Sequence, residues 1–217
     1  HAILAFPRTP SLKLSKGTGK LHERHEQMTR LKKVLMVSAL VALGLLLAAC
    51  ALYKPLRVLT PEIFGLTCMS DDICVEDPAT ITEATALRDN ALRFVEENIG
   101  PLRQPPRVLF CGSEECFARF GNPAVSALYF WGMETLLINK KGWQDYILRH
   151  ELIHHWQVQQ FGPVQSSRLP RWYIEGMAYS LSQDPRNPLP RTDIEEWRAQ
   201  FDAWVEEGND WRQPPQQ

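Results

Sequence analysis

The sequence has no glycine-rich phosphate loop, no Ser-His-Asp signature and no internal repeat. These absences argue against a nucleotide-phosphate cradle, a serine hydrolase and a repeat architecture. Positive charge is also short where a nucleic-acid partner would need it. The formal net charge is −1, but residues 1–50 hold 8 of the 24 Lys and Arg and 2 of the 25 Asp and Glu. Residues 51–217 therefore carry 16 basic against 23 acidic side chains, a net of −7. An acidic domain argues against nucleic acid as partner. The 44 % hydrophobic content in 217 residues is enough for one modest core.

The first residues read as preamble. Residues 1–27 are polar and show no apolar periodicity, as expected of a disordered or non-native extension ahead of a true start. His22 and His25 are read there as solvated. Met28-Thr29-Arg30-Leu31-Lys32-Lys33 resembles a fresh start with a basic flank, and the uncharged run Val34–Tyr53 follows. Such a run is a signal peptide or a membrane anchor. Leu47-Ala48-Ala49-Cys50 resembles the bacterial lipoprotein box, which implies cleavage before Cys50 and its lipidation; an uncleaved anchor is the alternative. Either way the basic flank stays in the cytoplasm and the domain lies on the extracytoplasmic side of a bacterial envelope. Four further cysteines suit an oxidising compartment, and their spacing favours two small loops, Cys68–Cys74 and Cys111–Cys116.

His150-Glu151-Leu152-Ile153-His154 organises the rest. It is HExxH within an expected helix over 142–161. Residues four apart on a helix lie about 40° apart around the axis and about 6 Å along it. Both imidazoles can reach one ion, with Glu151 beside it to take a proton from bound water. Ile147, Leu148, Leu152, Ile153 and Trp156 surround the trio, and a buried, unpartnered His–Glu group would be costly. Zinc wants a third protein ligand. Glu175, set among Trp172, Ile174, Met177 and Ala178 in a helix after Pro170, is the candidate. The alternative is a surface pair of Glu175 with Arg171 or Arg149. His155 is turned about 100° from His154 and is read as a supporting or surface residue.

HExxH followed by Trp172-xx-Glu175-Gly176-x-Ala178 resembles the gluzincin zinc metallopeptidases. The resemblance spans about Val108 to Ser182. It implies zinc held by His150, His154 and Glu175, Glu151 as general base, and a peptide or protein substrate. It also implies that the strand before the zinc helix, Thr135-Leu136-Leu137-Ile138-Asn139, is an edge strand pairing with extended peptide. Tyr173 and Tyr179 are candidates for stabilising the oxyanion, with ordinary core packing as the alternative for each. The sequence departs from the thermolysin-like pattern in one place. Tyr179 stands where that branch has an Asp orienting a ligand His.

The remaining elements follow in order. Residues 54–77 are expected to be a linker and disulfide-bearing lead-in. Thr80-Ile81-Thr82-Glu83 reads as a capping box opening a helix to about Asn98. Short strands are expected at Arg107–Cys111, Ala127–Trp131 and Thr135–Asn139, with a helical turn near Phe117. Thr192-Asp193-Ile194-Glu195 reads as a second capping box, and Ile194, Trp197, Phe201 and Trp204 recur at helical spacing after it. Residues 209–217 read as a polar tail. The expected fold is α+β: a minimal zincin-like domain over 78–208, with a small mixed sheet packed on the HExxH and Glu helices. The expected function is zinc-dependent peptide hydrolysis; the alternative is a catalytically silent zinc-binding envelope lipoprotein serving as a binding module.

Overall fold

The computed structural model describes residues 17–70 and 72–215. Residues 1–51 form one compact unit and residues 52–217 a second.

The first unit is helix α1, Gly17–Leu52. It takes in residues 17–27, which lack apolar periodicity yet continue the helix without a break. His25 is exposed, as are Leu35, Val37, Leu40, Val41 and Leu43, so no apolar stripe is covered by protein. Among the described residues no helix is long and apolar enough to cross a membrane. Leu47, Cys50 and Ala51, which complete the apolar run, have side chains outside those described, so the lipidation expected at Cys50 lies outside them too.

The second unit is α+β. Its mixed five-stranded sheet has the order β1-β2-β3-β5-β4: β1 (Thr67–Ser70), β2 (Ile73–Val75), β3 (Arg107–Phe110), β4 (Ala127–Phe130) and β5 (Thr135–Ile138). Strands β2, β3 and β5 run parallel, and β1 and β4 are antiparallel to their single neighbours. The helices are α2 (Ile81–Asn98), α3 (Glu114–Phe120), α4 (Asp145–Phe161), α5 (Pro163–Arg168), α6 (Arg171–Leu181) and α7 (Thr192–Glu206). Side chains alternate across the sheet, as the pleat requires. Val108, Phe110, Leu136, Ile138 and Tyr129 join the core shared with α2, α4 and α6. Leu109, Leu137, Leu128 and Phe130 join a smaller core with α3 and Val58.

Both expected disulfides are present: Cys68–Cys74 ties β1 to β2, and Cys111–Cys116 ties the end of β3 to α3.

Several expectations need correction. Residues 54–77 are not a linker. They supply two strands, two 3-10 turns and the buried Val58, Leu66 and Cys74. Neither capping box forms. Asp77 accepts from Ala79 N one turn early, leaving Thr80 without a side-chain cap. Glu195 reaches back to Leu189 N and pairs with Arg198 instead of capping α7. The tail is not free: the Tyr173 hydroxyl donates to Trp211 O, and Trp211 packs on Trp156. Most important for function, β5 is an interior strand bonded to β3 and β4, so Thr135–Ile138 is not an edge. Asn139 ends that strand. Its side chain donates to Val125 O and accepts from Gly142 N. The edge nearest the HExxH helix is β4.

Candidate metal centre

Helix α4 carries His150, Glu151 and His154, and α6 carries Glu175. The two helices pack together, and Gly176 sets how closely α6 meets α7. A Cβ at Gly176 would lie 2.3 Å from Trp197 O and 2.8 Å from Phe201 Cβ. The residue beside Glu175 is therefore glycine for want of space, and α6 lies close against α7.

That packing brings three ligand atoms together. His150 Nε2 and His154 Nε2 are 3.1 Å apart. Glu175 Oε2 is 3.6 Å from the first and 3.5 Å from the second. Three ligands on a tetrahedral ion with bonds of about 2.0–2.1 Å lie about 3.3 Å from one another. The observed edges bracket that value, so His150, His154 and Glu175 can hold a metal ion. The donor chemistry agrees, because two imidazole nitrogens facing each other need a cation or a shared proton between them.

The supporting contacts are specific. Gln157 Nε2 donates to Ile174 O at 2.9 Å, which turns its Oε1 to His154 Nδ1 at 2.9 Å. The proton is thereby held on Nδ1, and the Nε2 lone pair faces the site. Glu175 divides its oxygens: Oε2 faces the histidines, and Oε1 accepts from Arg171 at 3.1 Å. Glu175 thus pairs with Arg171 through one oxygen while the other faces the two histidines. The Tyr179 ring lies 4.3 Å from that of His150, tilted by 60°. His150 Nδ1 is buried with no partner among the described residues.

Electrostatics follow from burial and proximity. Burial penalises the Glu175 carboxylate, but His154 and His150 beside it hold its pKa far below the usual range. Burial likewise opposes a charge on His154, yet Glu175 pushes it up to about 9. Glu151 is buried, which raises its pKa against the pull of the two histidines. Tyr179 is pushed up to about 12 by burial and then by Glu175, so its hydroxyl keeps its proton.

A cleft of about 930 Å³ opens over these groups, lined by β4 and its approach (Ala124–Tyr129), Tyr146, Tyr179, Arg186 and Arg191 among others. The loop after α6 was legible only as proline-rich. It brings in the buried Asp184, which holds Arg186 by a forked ion pair over the Tyr146 ring. Gln157 was also unforeseen; its signal is the i+3 position after His154 on one helical face. Tyr173 is fully buried in the core with its hydroxyl on Trp211 O, so it is not placed to meet an oxyanion. Of the two readings of His155, supporting or surface, the surface one fails: the residue is fully buried, and burial lowers its pKa.

Compared with protein-family models, curated proteins and solved structures, the chain matches none.

Proposed function

We propose that this chain is a zinc-dependent peptidase of gluzincin-like arrangement, acting on peptide or protein substrates at the extracytoplasmic face of a bacterial envelope. The observation that carries the reading is the convergence of His150 Nε2, His154 Nε2 and Glu175 Oε2 at tetrahedral spacing. A second carboxylate, Glu151, lines the same cleft. A structural zinc site has no need of that second carboxylate.

Bound zinc would supply a Lewis acid for a carbonyl oxygen and a water of lowered pKa. Glu151 takes the proton from the attacking water and returns it to the leaving amine. Its burial helps, because a carboxylate with a raised pKa holds an accepted proton better than an exposed one. Tyr179 keeps its proton and donates toward the developing negative charge. The edge strand β4 lines the cleft and offers backbone partners to an extended chain. The amino-terminal apolar run holds the domain at the membrane, either through lipid on Cys50 once the residues before it are cleaved or as an uncleaved anchor. The two disulfides suit that compartment.

The test is metal analysis of the purified chain together with cleavage of an unfolded protein, with and without chelator. One zinc per chain and chelator-sensitive cleavage support the reading. One zinc per chain with no cleavage makes the chain a zinc-binding module instead.

A further inference from the structure

We infer that His155 is a positioning residue that fixes the edge strand β4 at its working distance from the metal helix. The inference rests on the peptidase reading, because it assigns that reading's substrate wall a mechanical support.

Strand β4 has a hydrogen-bonded neighbour on one side only, β5. Its distance from α4 is therefore set by a few side-chain contacts. At its entrance, Asn139 N donates to Ser126 O and the Asn139 side chain donates to Val125 O. Farther along, the tie is His155. Tyr129 projects from the face of β4 that packs toward α4, and its hydroxyl lies 2.9 Å from His155 Nδ1. His155 Nε2 lies 2.7 Å from Gln104 O. A carbonyl can only accept, so the proton sits on Nε2, and Nδ1 is left to accept from the Tyr129 hydroxyl. Gln159, one turn on, donates to the same carbonyl and accepts from Arg103 N. The edge strand is thus tied to the imidazole, and the residues ahead of β3 are held by the imidazole and Gln159 together. That imidazole sits next to ligand His154 on α4. Tyr129 and His154 both line the cleft. The cleft width felt by an extended substrate is the span that His155 bridges.

A buried histidine making two hydrogen bonds would also serve a merely structural role, so the test must read the cleft. Tyr129→Phe removes one hydroxyl and keeps the ring. His155→Gln keeps a polar side chain of shorter reach. In the full chain both variants retain one zinc. Kd for a peptide-like hydroxamate and KM for an unfolded-protein substrate rise about tenfold, as expected for the loss of one well-made buried hydrogen bond. The kcat value stays within about twofold. Amide exchange at Leu128 and Phe130 quickens in both variants, and the double variant is no worse than His155→Gln alone, since that variant already cuts the Tyr129 tie. Unchanged hydroxamate affinity and unchanged β4 exchange in Tyr129→Phe overturn the inference, and that variant decides if His155→Gln fails to fold. Wild-type chain that binds zinc and hydroxamate without turnover contradicts the catalytic reading, and the tie is then judged on Kd and exchange. If the wild type binds no zinc, the site reading fails, and exchange at Leu128 and Phe130 decides the tie.

Discussion

Gln157 Oε1 faces His154 Nδ1 at 2.9 Å, and the Gln157 amide is itself oriented by the Ile174 carbonyl on the neighbouring helix. One glutamine therefore links the helix that bears two ligands to the helix that bears the third. Gln157→Leu keeps size and removes both contacts. The variant should fold and bind zinc about 10–100-fold more weakly, the usual effect of losing such a support. Competition against a fluorescent chelator measures it; unchanged affinity would show that His154 is oriented without Gln157.

Gly176 should be intolerant of even one methyl group. A Cβ there meets Trp197 O at 2.3 Å, so Gly176→Ala must push α6 from α7. Overpacking of this kind costs about 1–3 kcal/mol. Thermal unfolding should show the loss, and zinc affinity should fall with it because Glu175 is the adjacent residue. A variant with wild-type Tm and zinc affinity would contradict the close approach.

The metal-free and zinc-loaded proteins should respond to pH in opposite directions. In the metal-free site Glu175 raises His154 from its ordinary 6.5 to about 9. That contribution to stability is full below about pH 6.5 and is lost as pH rises through about 9. A zinc ligand must be neutral, so binding at pH 7 expels about one proton, and apparent affinity climbs about tenfold per pH unit until His154 deprotonates on its own. Titration calorimetry in buffers of different ionisation enthalpy counts that proton. Release of none would remove the His154–Glu175 pairing from the metal-free state.

Cys50 should mark the mature amino terminus. Protein isolated from bacterial membranes is expected to begin at a lipid-bearing Cys50, and Cys50→Ser should leave a longer precursor. A wild-type chain that begins well before residue 50 would favour the uncleaved anchor.

The metal centre was legible in sequence because HExxH is a statement about one helix face, and because Glu175 stood in an apolar helix where a lone carboxylate needs a partner. Helices α2, α4, α6 and α7 were legible from apolar spacing, as were β3, β4 and β5. Strand order was not. Leu136–Ile138 is apolar at successive positions and fully buried, the pattern of an interior strand, while the half-buried Ala127–Phe130 reads as an edge. Strand β2 has only three residues, too short for a period to show, and β1 (Thr67–Ser70) carries no run of aliphatic side chains. The contacts of Gln157 and His155 join residues from separate elements, so only the folded chain reveals them.

The central claim is that Glu175 holds the metal and Glu151 holds the proton. Zinc stoichiometry and turnover of an unfolded protein, measured on Glu151→Gln and Glu175→Gln beside the wild type, test it most directly. Glu151→Gln should keep one zinc and the wild-type Tm while hydrolysis falls by several orders of magnitude, since base and metal act as a unit. Glu175→Gln should lose zinc, and its Tm should fall with the metal. Equal zinc loss in both variants, or full zinc retention in Glu175→Gln, would contradict the account.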